Sequence, residues 1–243
     1  MRLLPIYTAI FGPRVRGGPF LGMRYVPDTV CNALAAKLLG TYELELTAWI
    51  ERLVARDFAT LLNVGSAEGF CAVGFARRCR RLRVVAFETY PHFRALLAKV
   101  AARNAVADRI AIEGFCTIGS LRPHLAGGAA PLLIVDIEGG EVALLDPAQL
   151  PALRQCTMLV ELHEWEHPAA DILRARFGSS HEIEERWTRP RGAGDLPALW
   201  RWASRLLGPS RFVAALAEHR SGPMRWFLLE PRGEGIASSE VKR

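Results

Sequence analysis

Short apolar runs that alternate with helical patterns are the feature that most constrains the fold of this chain. Because the runs are continuously apolar rather than alternating with polar residues, they predict strands that are covered on both faces. Strands separated by helices are typical of parallel sheets built from strand–helix–strand units. The sequence therefore predicts an α/β fold. The five runs are Thr60–Val64, 82–87, 109–113, 132–137 and Thr157–Leu162.

Three helical patterns, at 41–58, 67–79 and 91–104, precede or separate the first three runs. The first of them carries an apolar stripe at helical spacing around Trp49. Thr41 can cap its start, and two carboxylates follow in the first turn, where they suit the helix dipole. We therefore predict a helix that begins at Thr41.

The pattern changes after residue 168. We predict a helix at Ala169–Phe177, extended chain at 180–187, a helical pair within 188–221 and a last strand at 224–229.

The domain organisation follows from the same pattern. A length of 243 residues suits one α/β domain, which we place at 41–232. Residues 1–40, rich in glycine and proline near 12–28, are predicted to be an N-terminal extension that wraps the core. The small polar tail 233–243 is predicted to be disordered.

Composition excludes several classes of protein. Hydrophobic residues make up 50% of the chain and charged residues 23%, as in a packed globular protein. No apolar run approaches the ~20 residues of a membrane span, and no signal peptide is recognisable. The five cysteines are odd in number and form no CxxC pair, which fits a reduced protein better than a disulfide scaffold or zinc module. We expect a cytoplasmic protein with no membrane attachment.

The formal net charge of +6 includes one dense basic run, in which five of the seven positions 77–83 are arginine. A nucleic-acid patch is one interpretation. A helix C-terminus, where cations suit the dipole, is the favoured one, because no aromatic residues are interleaved for base stacking. We expect no nucleic-acid partner.

Residues that follow the strands matter most for function, because parallel sheets bind ligands beyond the carboxyl ends of their strands. Gly65 and Gly69 follow the first run and allow a tight turn and close approach of a ligand to the backbone. A dinucleotide fingerprint would need glycines where Ala67 and Phe70 stand, which disfavours a nicotinamide cofactor. Glu88 follows the second run and can accept hydrogen bonds from two ribose hydroxyls. The alternative is a solvated carboxylate at the end of the strand. We expect removal of Glu88 barely to affect stability, because a carboxylate at the end of a strand contributes little packing.

Phe115 and Cys116 follow the third run, where an adenine ring would lie if Glu88 holds the ribose. Phe115 could cover the face of the ring and Cys116 could line the pocket. Burial of Phe115 in the core is an equally good interpretation.

Carboxylates are crowded after the fourth and fifth runs. Asp136, Glu138 and Glu141 follow the fourth, and Glu161 and His163 share one face at the end of the fifth. Such crowding is unfavourable unless it serves a function. A metal site built from Asp136, Glu138, Glu161 and His163 is the less favoured interpretation, and we predict no metal.

The ordered motifs NVGSAEG, VVAFE, DRIAIEGFCT, LLIVDIEGGEVALLDP and LVELHEW resemble a class I S-adenosylmethionine-dependent methyltransferase. The DIEGGEVALLDP and VELH stretches resemble the FkbM-like branch in particular. The resemblance covers roughly residues 40–165. It implies a Rossmann-like, mostly parallel seven-stranded sheet with helices on both faces and an antiparallel last strand.

The resemblance implies that S-adenosylmethionine is the cofactor. Asp136 would face its methionine amino group or the transferring methyl group, and Glu88 would bind the ribose. Two departures are Asn63, where the family usually has aspartate, and Ala67, where the branch often has asparagine. The full set of implied cofactor-binding residues is Tyr42, Glu43, Asn63, Gly65, Ser66, Gly69, Glu88, Phe115, Cys116 and Asp136.

The implied activity is methylation of a hydroxyl on a small molecule or sugar. Positioning of the nucleophile supplies most of the rate in such a displacement, and a hydroxyl acceptor also needs a base. We predict His163 as that base, oriented by Glu161 or Asp136, and these three as the catalytic residues. A structural role for His163 at the end of the strand is an equally good interpretation. Two alternatives stay open: a module that binds the cofactor without turnover, and a nicotinamide-dependent oxidoreductase.

Overall fold

A single seven-stranded sheet organises the chain. The computed structural model describes residues 12–27, 33–127, 129–165, 167–197, 201, 213, 216–218 and 222–232. The strands are β1 Thr60–Val64, β2 Arg83–Phe87, β3 Ile110–Glu113, β4 Leu132–Val135, β5 Thr157–Leu162, β6 His181–Trp187 and β7 Arg225–Pro231.

The strand order is β3-β2-β1-β4-β5-β7-β6. Strands β1 to β5 pair in parallel, and β7 runs antiparallel to both of its neighbours, β5 and β6. The expected Rossmann-like, mostly parallel sheet with an antiparallel last strand is therefore confirmed.

Helices cover both faces of the sheet. Leu61 and Ile134 point into an apolar cluster with the helices that precede and follow β1, whereas Leu62 and Val135 point into a second cluster on the opposite face. This double cover explains why the strands read as continuous apolar runs. The helices are α1 Leu34–Leu39, α2 Thr47–Ala55, α3 Phe70–Arg78, α4 Pro91–Arg103, α5 Ile118–Leu125, α6 Glu141–Leu144 and α7 Ala169–Phe177.

The prediction of a helix beginning at Thr41 is wrong. The chain leaves α1 through Gly40, whose φ is +78°, and both the amide and the hydroxyl of Thr41 donate to the carbonyl of Ala36. Glu43 is also left-handed, with φ at 47°, so a regular helix cannot run through it. A 3₁₀ turn at Leu44–Leu46 follows, and α2 begins at Thr47.

The segment 12–27 packs against the same face as α3. Phe20 is 1% exposed, and its ring centre lies 5.3 Å from that of Phe70 and 5.6 Å from that of Phe75. Gly74 makes room for it, because a Cβ there would lie 2.5 Å from Phe20 Cγ. This part of the N-terminal region therefore completes the hydrophobic core.

The arginine-rich run at 77–83 spans the end of α3 and the start of β2. This agrees with the favoured interpretation of the run as a helix C-terminus. Most of the helical pair predicted within 188–221, and the tail 233–243, lie outside the described residues. None of the helices in the part of the chain that the structure describes is long and apolar enough to cross a membrane.

Candidate functional site

A cavity of about 800 Å³ lies at the carboxyl ends of β1, β2 and β4, and we call it the sheet-edge cavity. The chain leaves β1 toward β2 on one side and returns to β4 on the other, so the cavity lies at a topological switch point, the usual ligand site of such sheets. Five of the predicted site residues line it: Gly65, Glu88, Phe115, Cys116 and Asp136.

The loop from β1 to α3 forms the floor of the sheet-edge cavity. Gly65 has a φ of +78°, and a Cβ there would lie 1.6 Å from the carbonyl oxygen of Asp136, so only glycine fits. Ala67 and Gly69 are also left-handed, with φ at 44° and 86°. The small residues at these three positions thus let the chain turn tightly and bring the backbone close to a ligand.

Glu88 is a buried, hydrogen-bonded carboxylate rather than the solvated one of the alternative interpretation. It is 7% exposed, and its two oxygens accept from the amides of Ala67 and Tyr90, each at 2.8 Å. A carboxylate oxygen can accept more than one hydrogen bond. Glu88 can therefore hold the β1–α3 loop and still accept from a ligand that enters the sheet-edge cavity.

Aromatic side chains form the rim of this cavity. Phe115 is 71% exposed, so its alternative placement in the core is wrong. Tyr90, which sequence reasoning missed, is 64% exposed on the same cavity. Cys116 is half-buried, and burial raises the pKa of its thiol to about 11, so the thiol is neutral at physiological pH. These groups suit a flat, neutral ring.

His163 lies at the end of β5 and is 5% exposed. Its Nδ1 is 2.8 Å from Glu141 Oε1, and its Nε2 is 3.4 Å from Glu138 Oε2 and 3.9 Å from Asp136 Oδ1. The orienting carboxylate is thus Glu141 at the start of α6, not the expected Glu161 or Asp136. Glu141 is fully buried and also accepts from the amide of Gly139, which fixes its position.

Opposing effects act on the pKa of His163. Burial tends to lower it, but the hydrogen bond to Glu141 and the negative charges of Glu141, Asp136 and Glu138 outweigh burial and raise the pKa above its ordinary value. The imidazole is therefore a stronger base than a free histidine.

Glu161 is 3% exposed and joins this group from β5. One ligand atom each of Asp136, Glu161 and His163 lies within 4.8 Å of the others, a spacing that a divalent cation could share.

Several predicted cofactor-binding residues lie outside the lining of the sheet-edge cavity. Asn63 and Ser66 are buried, and the hydroxyl of Ser66 donates to the carbonyl of Phe87. Gly69 precedes the first residue of α3. Tyr42 packs edge-on against Phe70, and the amide of Glu43 donates to Glu218.

Sequence reasoning missed a buried ion pair behind the β1–α3 loop. Lys37 Nζ lies 3.4 Å from Glu68 Oε2, with the two side chains 4% and 0% exposed. The ammonium is also 4.9 Å from the ring centre of Tyr42. No sequence motif signals this pair, because its two members lie far apart in the chain and meet only through packing.

No family model matches the chain, and no curated protein sequence is detectably similar. Solved structures of similar fold include the O-methyltransferase TomG from Streptomyces achromogenes in complex with S-adenosylmethionine, at 16% identity, covering 84% of this chain and 83% of that one, with a TM-score of 0.47. Another is an S-adenosylmethionine-dependent methyltransferase from Geobacter sulfurreducens in complex with S-adenosylhomocysteine. It is 17% identical, the match covers 78% of this chain and 91% of that one, and the TM-score is 0.45. A third is the O-methyltransferase from Bacillus cereus in complex with S-adenosylhomocysteine. It is 11% identical, the match covers 74% of this chain and 78% of that one, and the TM-score is 0.46. Identities this low leave function to be argued from the site itself.

Proposed function

We propose that this protein is an S-adenosylmethionine-dependent methyltransferase of the FkbM-like branch that methylates a hydroxyl of a small molecule or sugar. One observation carries the proposal: the sheet-edge cavity, lined by the buried carboxylate of Glu88, reaches Asp136, whose Oδ1 is 3.9 Å from His163 Nε2. Methyl donor and proton acceptor can thus meet at one sheet edge.

The size and lining of the cavity fit the cofactor. About 800 Å³ falls within the ~300–1,000 Å³ typical of small-molecule sites. Glu88 would accept from the ribose hydroxyls, while Phe115 and Cys116 would flank the adenine.

The charge of the cavity separates the two cofactor alternatives. Glu88, Asp136 and Glu138 line it, and its described lining includes neither lysine nor arginine. A negative wall attracts a sulfonium cation and repels the pyrophosphate of a nicotinamide dinucleotide. Electrostatics therefore agrees with the glycine spacing in favouring S-adenosylmethionine.

The residues beside the methyl site supply the base. Glu88 and Asp136 would hold S-adenosylmethionine in the sheet-edge cavity, and the bound cofactor would supply an electrophilic methyl group for transfer to the acceptor hydroxyl. His163 Nε2 takes the proton that the acceptor hydroxyl loses. Glu141 holds Nδ1, so that Nε2 faces the carboxyl edge of the sheet.

Calorimetry with each ligand tests the proposed function. We expect S-adenosylmethionine and S-adenosylhomocysteine to bind and NAD to bind far more weakly, because only NAD brings a pyrophosphate to the acidic wall. Tighter binding of NAD would overturn the proposal. Binding of S-adenosylmethionine without turnover on any hydroxyl acceptor would identify a non-catalytic module.

Glu88→Ala should weaken S-adenosylhomocysteine binding by roughly 10- to 150-fold, from the loss of ~1.5–3 kcal/mol of charge-assisted hydrogen bonding. Contrary to the expectation from sequence, stability should fall as well, because the amides of Ala67 and Tyr90 lose their acceptor. Calorimetry and thermal melting measure the two effects.

Glu113→Ala is the matched control, since this carboxylate ends the neighbouring strand β3 and pairs with His124 outside the cavity lining. It should bind S-adenosylhomocysteine as the wild type does. Equal losses in both variants would mean that Glu88 has no special contact with the cofactor.

The pH dependence of turnover should report His163. The neutral imidazole is the active base, so turnover rises with pH, and its half-maximal point should lie above the ordinary histidine pKa of ~6.5. Glu141→Gln removes a negative charge that favours the imidazolium, so the half-maximal point should move to lower pH. A kcat–pH profile of both proteins measures the shift.

Glu164→Gln is the control for that profile, because Glu164 is an exposed carboxylate next to His163 in sequence that pairs with Arg225. Its profile should match that of the wild type. An unchanged midpoint in Glu141→Gln would show that another group controls the rate.

A further inference from the structure

Arginines gather at the amino edge of the sheet, opposite the sheet-edge cavity. The end of α3 and the start of β2 meet there. The N-terminal segment adds two more, since Arg14 and Arg24 face each other in an isolated antiparallel bridge, and the carbonyl of Arg24 accepts from Asn104 just after α4. We call this set the amino-edge arginine surface. Its members are Arg14, Arg24, Arg77, Arg78, Arg80 and Arg81.

The helix and the N-terminal segment form one continuous surface. Arg77 Nη1 donates to the carbonyl of Leu21 at 3.4 Å, and Arg78 Nη1 donates to that of Pro19 at 2.5 Å. Burial and the positive charge of Arg14 lower the pKa of Arg77 below its ordinary value. Guanidiniums from the two parts of the chain are therefore close enough to repel each other.

Carboxylates offset little of this charge. Arg78 pairs with Glu51 at 2.8 Å. Arg80 and Arg81 are exposed, and neither lies within ion-pair distance of a carboxylate in the part of the chain that the structure describes. The exposed carboxylates that precede β1 and β3 at the same edge are Asp57 and Asp108. The arginines outnumber them, so this edge attracts anions.

An exposed aliphatic side chain stands within the arginine surface. Leu21 is 62% exposed, whereas Phe20 beside it is 1% exposed and anchors the turn in the core. Gly18 and Gly22 on either side are left-handed, with φ at 66° and 84°, which makes the turn tight. Leu21 is thus held outward next to two guanidiniums of α3, and little conformational entropy remains to be lost when it meets a partner.

We propose that the amino-edge arginine surface docks the protein on an anionic lipid bilayer, with Leu21 inserted below the headgroups. Basic side chains gain attraction from anionic lipids, and an inserted aliphatic side chain adds a hydrophobic contribution. Arginines alone would suit a nucleic acid as well. The exposed apolar group among them is aliphatic, however, and offers no ring on which a base could stack. A bilayer fits both features.

This contact goes beyond the proposed function and is independent of it. A peripheral contact needs no membrane-spanning helix. The sequence leads to the expectation of no membrane attachment because Leu21 lies far from the run at 77–83 in the chain, and only packing brings the two together.

Sedimentation of the full chain with vesicles tests the proposal. One set of vesicles is phosphatidylcholine alone, and the other is phosphatidylcholine mixed with phosphatidylglycerol. The protein should bind the mixed vesicles, leave them as salt is raised, and stay in solution with phosphatidylcholine alone. Equal binding to both sets, or binding to neither, would contradict the proposal.

Two variants test the two features separately. Arg80→Gln combined with Arg81→Gln should weaken binding to the mixed vesicles by about 25-fold, at about fivefold for each charge. Leu21→Ser should weaken it by about tenfold, because the apolar insertion is lost. Thermal melting should show both variants folded, since the replaced side chains are exposed. Both should bind S-adenosylhomocysteine as the wild type does, because they lie at the edge opposite the sheet-edge cavity.

Arg122→Gln combined with Arg154→Gln is the matched control, since it removes two exposed charges beside the apolar cluster on the other face of the sheet. It should bind the vesicles as the wild type does. An equal loss in this control would mean that net charge alone drives binding, which would overturn the proposal.

Two other occupants of the surface would be recognised in the same series. Wild-type vesicle binding by Leu21→Ser, together with tight binding of a DNA duplex by the unmodified chain, would identify a nucleic-acid surface. A dimer in sedimentation velocity that Leu21→Ser dissociates would identify a second copy of this chain. Either result would overturn docking on a bilayer.

Discussion

Replacing His163 with alanine is expected to lower turnover by ~10²–10⁴-fold, the usual contribution of a general base. Cofactor affinity should stay nearly unchanged, because His163 does not line the sheet-edge cavity. Turnover is measured as S-adenosylhomocysteine released with a glycoside acceptor, and affinity by calorimetry.

The alanine variant also leaves the buried carboxylate of Glu141 without its imidazole partner, which can destabilise the fold. His163→Asn avoids this problem, since its amide can still donate to Glu141 but cannot accept a proton at neutral pH. Both variants should lose turnover, and only the alanine variant should lose stability.

Two comparisons show whether His163 acts on the acceptor. Asp136→Asn should weaken both turnover and cofactor binding, because Asp136 lines the cavity. His124→Ala should change neither, as His124 pairs with Glu113 outside the cavity lining. Full turnover in His163→Asn would mean that catalysis needs no base there. Equal loss of cofactor binding in the His163 and Asp136 variants would mean that the cluster is structural.

The sequence was sufficient to predict the sheet and part of the site because both depend on local order. Continuous apolar runs reveal strands that are covered on both faces, and a parallel sheet brings the residues after each strand to one edge. Gly65, Glu88 and Asp136 therefore converge as expected.

What the sequence could not supply depends on packing between distant segments. Glu141, rather than Glu161, orients His163 because the turn at Gly139 places the start of α6 under the imidazole. That arrangement depends on backbone angles that residue type suggests only weakly. Thr41 has the chemistry of a helix N-cap, but its amide and hydroxyl donate to Ala36 and close the C-terminal end of α1, and the left-handed Glu43 keeps a helix from starting there.

The buried ion pair is the clearest such case, and its disruption should have the largest effect on stability. Lys37→Met leaves the Glu68 carboxylate in the core without its cation, 0% exposed. Breaking a buried pair in this way destabilises a protein by ~3–5 kcal/mol. Urea denaturation measures the loss. S-adenosylhomocysteine affinity should also fall, because Glu68 lies in the loop that carries Gly65 and Gly69.

The double variant Lys37→Met with Glu68→Met separates charge from packing. Apolar replacement of both members of a buried pair is often neutral, so the double variant should recover most of the stability that the single variant loses. Methionine also packs well against the aromatic rings that surround Lys37. Arg56→Met is the surface control, since Arg56 is 42% exposed and its pair with Glu230 should contribute only ~0–1 kcal/mol. If Lys37→Met lost no more stability than Arg56→Met, the buried pair would not hold the loop, and the cofactor site would depend on the glycine turns alone.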